Sequence, residues 1–286
     1  MAILPPHRLA PEPAPALDAT GPICVTAYVH GSYQDYIPVF VYSVLRSYPE
    51  YFVRIFLKEH LQPHNRKALD VIRAGMCDRF EVRENTFARL DGFILRGSRW
   101  LLPHEALSDF EYAYISDVDF LICRETPDIR ARHVGYCRAN NLPYSNACRI
   151  KSPPVKKLTG LHFIVVKPYY EAMSPVIEQV RVLIKSGSPH PYADADDESM
   201  LYDLVARGIG RFPPLWFRPG HGIHLGAIRC GKILDRADLR AWAPFLIGEL
   251  LPDPVYRKIK KLMAPSIRRQ LLWTQALCGH WWHGLR

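Results

Sequence analysis

No apolar run in this chain approaches eighteen residues, so no segment reads as a membrane-crossing helix. No Cys-x-x-Cys pair occurs. The seven cysteines, Cys24, Cys77, Cys123, Cys137, Cys148, Cys230 and Cys278, are odd in number and scattered. That fits reduced thiols in a cytosolic compartment better than a disulfide framework or a zinc site. Two glycine signatures are also missing. No G-x-G-x-x-G follows the first apolar run and no G-x-x-x-x-G-K-[ST] occurs anywhere, which argues against a dinucleotide dehydrogenase and a P-loop NTPase. The beginning of the chain holds Pro5, Pro6, Pro11, Pro13 and Pro15 but no apolar h-region. Residues 1–21 are therefore expected to form a flexible Pro-rich leader and not a secretory signal. No internal repeat is visible.

Acid is absent from one stretch. Residues 254–286 contain seven Lys and Arg and no Asp or Glu, so of the net charge of +9, +7 falls there and +2 on the 253 residues before it. A nucleic-acid enzyme would more often be basic around its cleft. The nearly neutral remainder argues against a nucleic-acid partner.

What is present is a globular composition: 286 residues, 48% hydrophobic and 12% aromatic, enough to bury a substantial core. Ile23–Tyr28 reads as a first strand, and Ile37, Phe40, Val41, Val44 and Leu45 have helical spacing within 36–48. Phe52–Leu57 is a second strand. Pro63 opens a helix that Gly75 ends, and Phe80–Val82 is a third strand. A short helix at Ser98–Leu102 precedes a strand at Tyr112–Ile115. Alternating strands and helices predict an α/β fold with a parallel sheet covered by helices. Beyond it, His133–Cys137 reads as a strand, 138–160 as a loop, Leu161–Val166 as a strand, and Tyr170–Lys185 as a helix despite Pro175.

The most informative residues are Asp117-Val118-Asp119, between the apolar runs Tyr112–Ile115 and Phe120–Ile122. In extended chain, residues i and i+2 project to one side. Two acids there repel unless a cation or donor sits between them. A hard divalent cation, the usual companion of a substrate diphosphate, meets that need; a plain strand-end turn also accounts for the acids. Ligands of such sheets bind at the carboxyl ends of strands, which is where Asp117, Asp119 and the segment Ala27-Tyr28-Val29 lie.

Three further groups surround this one. Asp196-Asp197-Glu198-Ser199 starts a helical pattern, where acids offset the dipole and Asp196 can cap; a carboxylate there could instead face an electrophilic sugar carbon. In His221-Gly222-Ile223-His224-Leu225-Gly226, a histidine among small residues is either a hydrogen-bonded loop residue or a third metal ligand. Arg96 and Arg99, just before the acid-bearing strand, are either solvated or aimed at a diphosphate.

In this order, the pieces resemble a GT-A-fold glycosyltransferase, with a Rossmann-like mixed sheet and flanking helices. Ser98-Arg99-Trp100-Leu101-Leu102-Pro103 followed by Tyr114-Ile115-Ser116-Asp117-Val118-Asp119 resembles the glycogenin and bacterial lipopolysaccharide galactosyltransferase family. His224-Leu225-Gly226 is similar to that family's late His-x-x-Gly segment, with the glycine one residue early and the following Lys-Pro-Trp missing. Asp197-Glu198-Ser199 resembles the His-Asp-Glu-Ser helix start of the blood-group and α-1,3-galactosyltransferase family. The likeness spans roughly residues 22–230.

The resemblance implies a retaining, metal-dependent transferase that uses a nucleotide-sugar donor, a UDP-sugar foremost. Asp119 would bind Mn²⁺ or Mg²⁺. Asp117 would reach the metal or the donor's ribose and sugar, and His224 would complete the metal site. Ala27, Tyr28 and Val29 would line the base pocket, and Arg99 would contact the diphosphate or donor sugar. Asp197 would hold sugar hydroxyls, Glu198 would lie beneath the anomeric carbon, and Gly160 and His162 would line the donor and acceptor space. The acceptor would be a glycan or lipid-linked sugar in cell-surface polysaccharide or lipopolysaccharide synthesis. A nucleotidyltransferase and an inactive GT-A-like scaffold are the alternatives.

The domain expectation is a leader at 1–21, a GT-A domain at 22–253, and a basic amphipathic tail at 254–286. In the tail, Val255, Ile259, Leu262 and Met263 have helical spacing, with Arg257, Lys258, Lys260 and Lys261 between them. Leu271, Leu272, Trp273, Trp281 and Trp282 follow. Basic residues with Trp and Leu describe an interfacial helix on an anionic membrane, placing the protein on the inner, cytoplasmic face; a helix packed on the core with a solvated basic face fits the same pattern.

Overall fold

The computed structural model describes residues 20–87, 94–150, 156–188, 191–192, 195–212, 221–230 and 241–283. Residues 1–19 of the expected leader, and Pro153 and Pro154 of the expected loop, lie outside them.

In chain order the first elements are β1 (Ile23–Val29), α1 (Ile37–Ser47), β2 (Phe52–Leu57), α2 (Pro63–Gly75) and β3 (Phe80–Arg83). A short α3 (Ile94–Gly97) runs into a 3-10 turn (Ser98–Leu101), followed by β4 (Tyr112–Ile115) and β5 (Phe120–Ile122). Then come α4 (Ile129–Asn140), β6 (Tyr144–Ser145), β7 (Cys148–Ile150), β8 (Lys156–Leu158), β9 (His162–Val165) and α5 (Val166–Lys185). The last part holds α6 (Asp197–Gly208), β10 (Gly222–His224), α7 (Leu225–Arg229), a π-helical segment (Pro244–Leu250) and helices Pro254–Leu262 and Pro265–His283.

One six-stranded sheet has the order β3-β2-β1-β4-β9-β6. The pairs β2–β3, β1–β2 and β1–β4 are parallel, whereas β9 runs antiparallel to both β4 and β6. The sheet is thus mixed. All seven residues of β1 are buried, as expected for a central parallel strand covered on both faces.

The period of two divides the core in two. Val25, Ala27, Val29, Tyr112, Tyr114 and Phe163 face one hydrophobic cluster; Cys24, Tyr28, Ala113, Ile115 and Ile164 face the other. In the first cluster α1 is buried almost all round, because the C-terminal helices pack over it: Val255, Tyr256, Ile259, Met263, Ile267 and Leu271 all belong to that cluster. The basic tail is therefore built into the main core along one face. α5 and α6 cover the second cluster through Tyr169, Met173, Met200 and Leu204.

Two expected elements are corrected. Residues 133–137 lie inside helix α4, not a strand. Asp128 caps it by accepting from the Ala131 amide at 2.6 Å, and Ile129, His133, Val134 and Cys137 form its buried face. The expected loop at 138–160 contains the end of α4 and the short strands β6, β7 and β8. β7 and β8 pair with each other and are three residues each, too short to show the apolar run that announces a sheet strand.

Candidate active site

The site forms where β4 ends. The Ser116 amide still donates to the Thr26 carbonyl at 2.8 Å, which extends the β1–β4 ladder by one bond and delivers Asp117 at the carboxyl edge of the sheet. After Asp119 the chain enters β5, which pairs antiparallel with β10 so that His224 stands opposite Phe120. Their rings stack with centroids 4.7 Å apart. The Leu225 amide donates to the Asp119 carbonyl at 2.8 Å, and His224 Nε2 lies 3.2 Å from Asp119 Oδ1. A two-stranded ribbon thus brings a histidine more than a hundred residues away against the second aspartate.

Asp117, Asp119 and His224 each offer a ligand atom, and these atoms lie within 4.8 Å of one another. Gly226 makes room for them. A Cβ there would run into the Asp119 carboxylate and come within 3.0 Å of His224 Nε2. Two carboxylates and one imidazole form a donor set that fits a divalent cation such as Mn²⁺ or Mg²⁺.

Arg99 organises the other wall. It sits on the 3-10 turn, 6% exposed, with its guanidinium over the Trp100 ring at 4.4 Å. One nitrogen donates to Asp117 Oδ1 and another to Asp197 Oδ2. Burial works against its charge, but the carboxylates of Asp117 and Asp197 outweigh that and raise its pKa. Gly160 closes over the trio: a Cβ there would be 2.8 Å from an Arg99 nitrogen and 3.0 Å from Asp117 Oδ2.

Asp197 starts α6, and its carbonyl accepts from the Trp100 indole at 3.0 Å. The preceding Asp196 caps the helix and takes Lys157 Nζ at 2.7 Å. Asp196 is thus committed to the cap and Asp197 to Arg99, and Asp197 and Glu198 line the wall of the open cleft. That cleft, about 370 Å³, is lined by Asp117, Asp119, His224, Gly160, Asp197 and Glu198, with Arg99 on the same wall.

Three residues expected in the cleft are elsewhere. Ala27 and Val29 point into the first core cluster, and only Tyr28, on the opposite side of the strand, lines the cleft. His162 is fully buried beneath it, paired with Asn146 at 3.0 Å and edge-on to Trp100. It shares the sheet face of Ile164 and does not line the cleft. Arg96, a candidate for the diphosphate from its sequence position, also lines the cleft, and His30, Tyr33 and Arg229 join it unanticipated. Arg229 could have been read from its place three residues after Gly226, the spacing that puts two residues on one helix face.

Behind the site, burial holds three histidines neutral. The pKa of His133 is lowered to about 3 by burial, with Arg132 and His162 adding to it, and that of His162 to about 3 by burial and then Arg99. His221 is driven well down by burial, then by His133 and Arg132. In the unfolded chain these groups protonate near pH 6.5. The folded state therefore binds fewer protons below that pH, so its stability is fully present above about 6.5 and is lost as pH falls toward 3, by about 1.4 kcal/mol per pH unit per histidine. Thermal melts should show Tm falling steeply between pH 6.5 and 4.5, with a shallower slope in His133→Gln. A flat profile would contradict the burial assignment.

No family model and no curated protein matches the chain. Among solved structures, the glycosyltransferase GlyE of Streptococcus pneumoniae TIGR4 aligns over 91% of this chain with a TM-score of 0.50 at 10% identity. The fold is GT-A. The chain spans 63% of the length of that pneumococcal protein. The galactosyltransferase LgtC, solved with donor and acceptor sugar analogs, aligns over 63% of this chain and 70% of its own, at 16% identity and a TM-score of 0.42. The carboxyl edge of the parallel β1–β4 pair carries the Asp-x-Asp pair, and the antiparallel β9 lies beside β4.

Proposed function

We propose that the protein is a metal-dependent glycosyltransferase that takes a sugar from a nucleoside diphosphate donor, a UDP-sugar, and passes it to a glycan or lipid-linked acceptor with retention of configuration. The observation that carries this reading is the juxtaposition, in one cleft, of an Asp-Asp-His ligand set with a carboxylate-bearing helix start. Asp117, Asp119 and His224 would hold Mn²⁺ or Mg²⁺. Such an ion neutralises the charge that builds on a departing diphosphate.

The chain's own residues divide the remaining work. Arg99 fixes Asp117 and Asp197 in place, so that two acids stand side by side without repelling each other. Asp197, held by Arg99, is suited to accept from donor-sugar hydroxyls. Glu198 is the carboxylate suited to stabilise an oxocarbenium-like carbon once the bond between sugar C1 and the diphosphate oxygen breaks. The acceptor oxygen then bonds to that carbon and its proton leaves to the departing phosphate or to water. Tyr28, His30 and Tyr33 offer aromatic faces at the cleft's edge for a base or ribose.

The test is a nucleotide-sugar hydrolysis screen with Mn²⁺, read by NMR of the released sugar. The reading predicts turnover of one UDP-sugar with the product anomer first formed matching the donor. Turnover of the other anomer would overturn retention, and cleavage between the phosphates would favour a nucleotidyltransferase. No turnover and no nucleotide binding would favour a scaffold.

The C-terminal helices support a role at a membrane surface on the cytoplasmic side. Arg257, Lys260, Lys261, Arg268 and Arg269 line one groove of about 630 Å³ with Leu272 at its edge. Leu272 and Trp273 are 52% and 67% exposed. Side chains from Leu277 onward, including Trp281 and Trp282, lie outside the described residues. No described helix is long and apolar enough to cross a membrane. Cations beside exposed Trp and Leu suit the headgroup boundary of anionic lipid. Full-length protein is expected to float with phosphatidylglycerol vesicles and not with phosphatidylcholine ones. Arg268→Glu with Arg269→Glu should cut the bound fraction by about 10-fold or more at low salt. Equal flotation of wild type and the double variant would count against it.

A further inference from the structure

The C-terminal helix reaches the cleft through a chain of hydrogen bonds. Gln270 lies on helix Pro265–His283, 8% exposed, between core residues Ile267 and Leu271. Its side-chain oxygen accepts from the Tyr36 hydroxyl at 2.8 Å. Tyr36, 2% exposed, closes the 3-10 turn that follows β1. Arg229, at the end of α7, directs one nitrogen to the Tyr36 hydroxyl at 3.5 Å and another to the Tyr33 hydroxyl at 2.7 Å. Its guanidinium lies over the Tyr33 ring at 4.9 Å. Both Arg229 and Tyr33 line the cleft beside Asp119.

The direction of these bonds carries the argument. A phenol has one hydrogen to give. With that hydrogen pointed at Gln270, the oxygen's lone pairs face Arg229, an all-donor group. Without an acceptor at Gln270, the hydrogen is free to turn toward the guanidinium and the arrangement is lost. The charge matters too. Arg99 is already shared between Asp117 and Asp197, whereas among the described residues Arg229 donates to two neutral phenols. Its charge is retained: burial works against it, but the Tyr33 hydrogen bond and the nearby Asp119 carboxylate favour the charged form, and its pKa is raised. It is a cation held in place and left with charge to offer an anion.

We propose that Gln270 and Tyr36 are positioning residues that aim Arg229 at the donor's diphosphate, so that the C-terminal helix is part of the donor site. The proposal rests on the nucleoside diphosphate reading of the cleft. The C-terminal helix then does two things with one stretch of sequence: its outer face carries the basic groove, and its inner face sets the position of a cleft cation.

The experiment is calorimetric titration of the full-length protein with UDP and with uridine in the presence of Mn²⁺. Wild type binds UDP. Arg229→Gln is expected to weaken UDP by about 10- to 100-fold, as for loss of a charge-assisted bond. Gln270→Leu and Tyr36→Phe are expected to weaken it by about 3- to 10-fold. Gln270→Glu, which keeps the acceptor, restores affinity to within about twofold, and uridine affinity is the same in all four, since uridine has no phosphate. In turnover, the loss falls on donor KM more than on kcat. UDP affinity unchanged in Gln270→Leu, with Arg229→Gln impaired, would overturn the relay. Unchanged affinity in Arg229→Gln would overturn the anchor while leaving the metal-site reading intact. Parallel loss of UDP and uridine binding would reveal general disturbance of the helix and also overturn the proposal. A wild type that binds no UDP, GDP or CMP would instead overturn the reading of the cleft itself.

Discussion

Asp119→Asn is expected to lower metal-dependent turnover by about 10³-fold while the protein stays folded. Asp119 is only 5% exposed, yet its surroundings are arranged for a charge: His224 Nε2 lies 3.2 Å from its carboxylate and the absence of a side chain at Gly226 leaves room beside it. Asn has the same shape but is neutral and a weak ligand for a hard cation. Nothing in the hydrophobic clusters changes, so Tm in EDTA should stay within about 3 °C of wild type, the shift expected of a change worth under about 1 kcal/mol. Turnover and melting measured on the same preparation check both halves. A folded variant with full activity would remove Asp119 from the chemistry.

The second large effect is structural and chemical at once. Arg99→Met is expected to lose most turnover and to destabilise the protein by about 3 kcal/mol. The methionine fills similar volume against Trp100, so the loss is one of charge. Without the guanidinium, Asp117 and Asp197 face each other with no cation between them, and both are mostly buried, with side chains 31% and 21% exposed. Partial access to water is why the estimate sits at the low end for a broken buried pair. Adding Asp197→Asn to Arg99→Met should recover about 1 kcal/mol or more by removing one of the two stranded charges. Denaturant melts of the four proteins in the cycle measure this coupling. Additive effects would mean that the three side chains do not act as a unit.

The framework of the fold was legible because its signals were local. β2 matches its apolar run, and α2 begins at Pro63 and ends at Gly75, where φ restriction and loss of side chain mark a helix start and stop. Asp117 and Asp119 were legible as a pair bounded by two apolar runs. His224 could be suspected from the sequence, but its place beside Asp119 depends on the β5–β10 register, a contact between residues a hundred apart that no local pattern encodes.

The misreadings have physical causes as well. In α4, Gly135 and the polar residues obscured a buried face spaced at Ile129, His133, Val134 and Cys137; the Asp128 cap was the available signal. Ala27, Tyr28 and Val29 end one strand, but alternation sends Tyr28 to the opposite side from its neighbours. His162 fell on a clear strand, but which face it took was set by the pairing of Ile115 with His162 across β4 and β9. The tail's two faces were visible as helical spacing. That its inner face joins the main core and touches Tyr36 is long-range information.

The account turns on whether the Asp117–Asp119–His224 corner binds a nucleoside diphosphate through a divalent cation. Titration of wild-type protein with UDP, once in Mn²⁺ and once in EDTA, asks this directly. The account predicts one-to-one binding in Mn²⁺ that is lost in EDTA and in Asp119→Asn. Equal UDP affinity with and without the metal would contradict it.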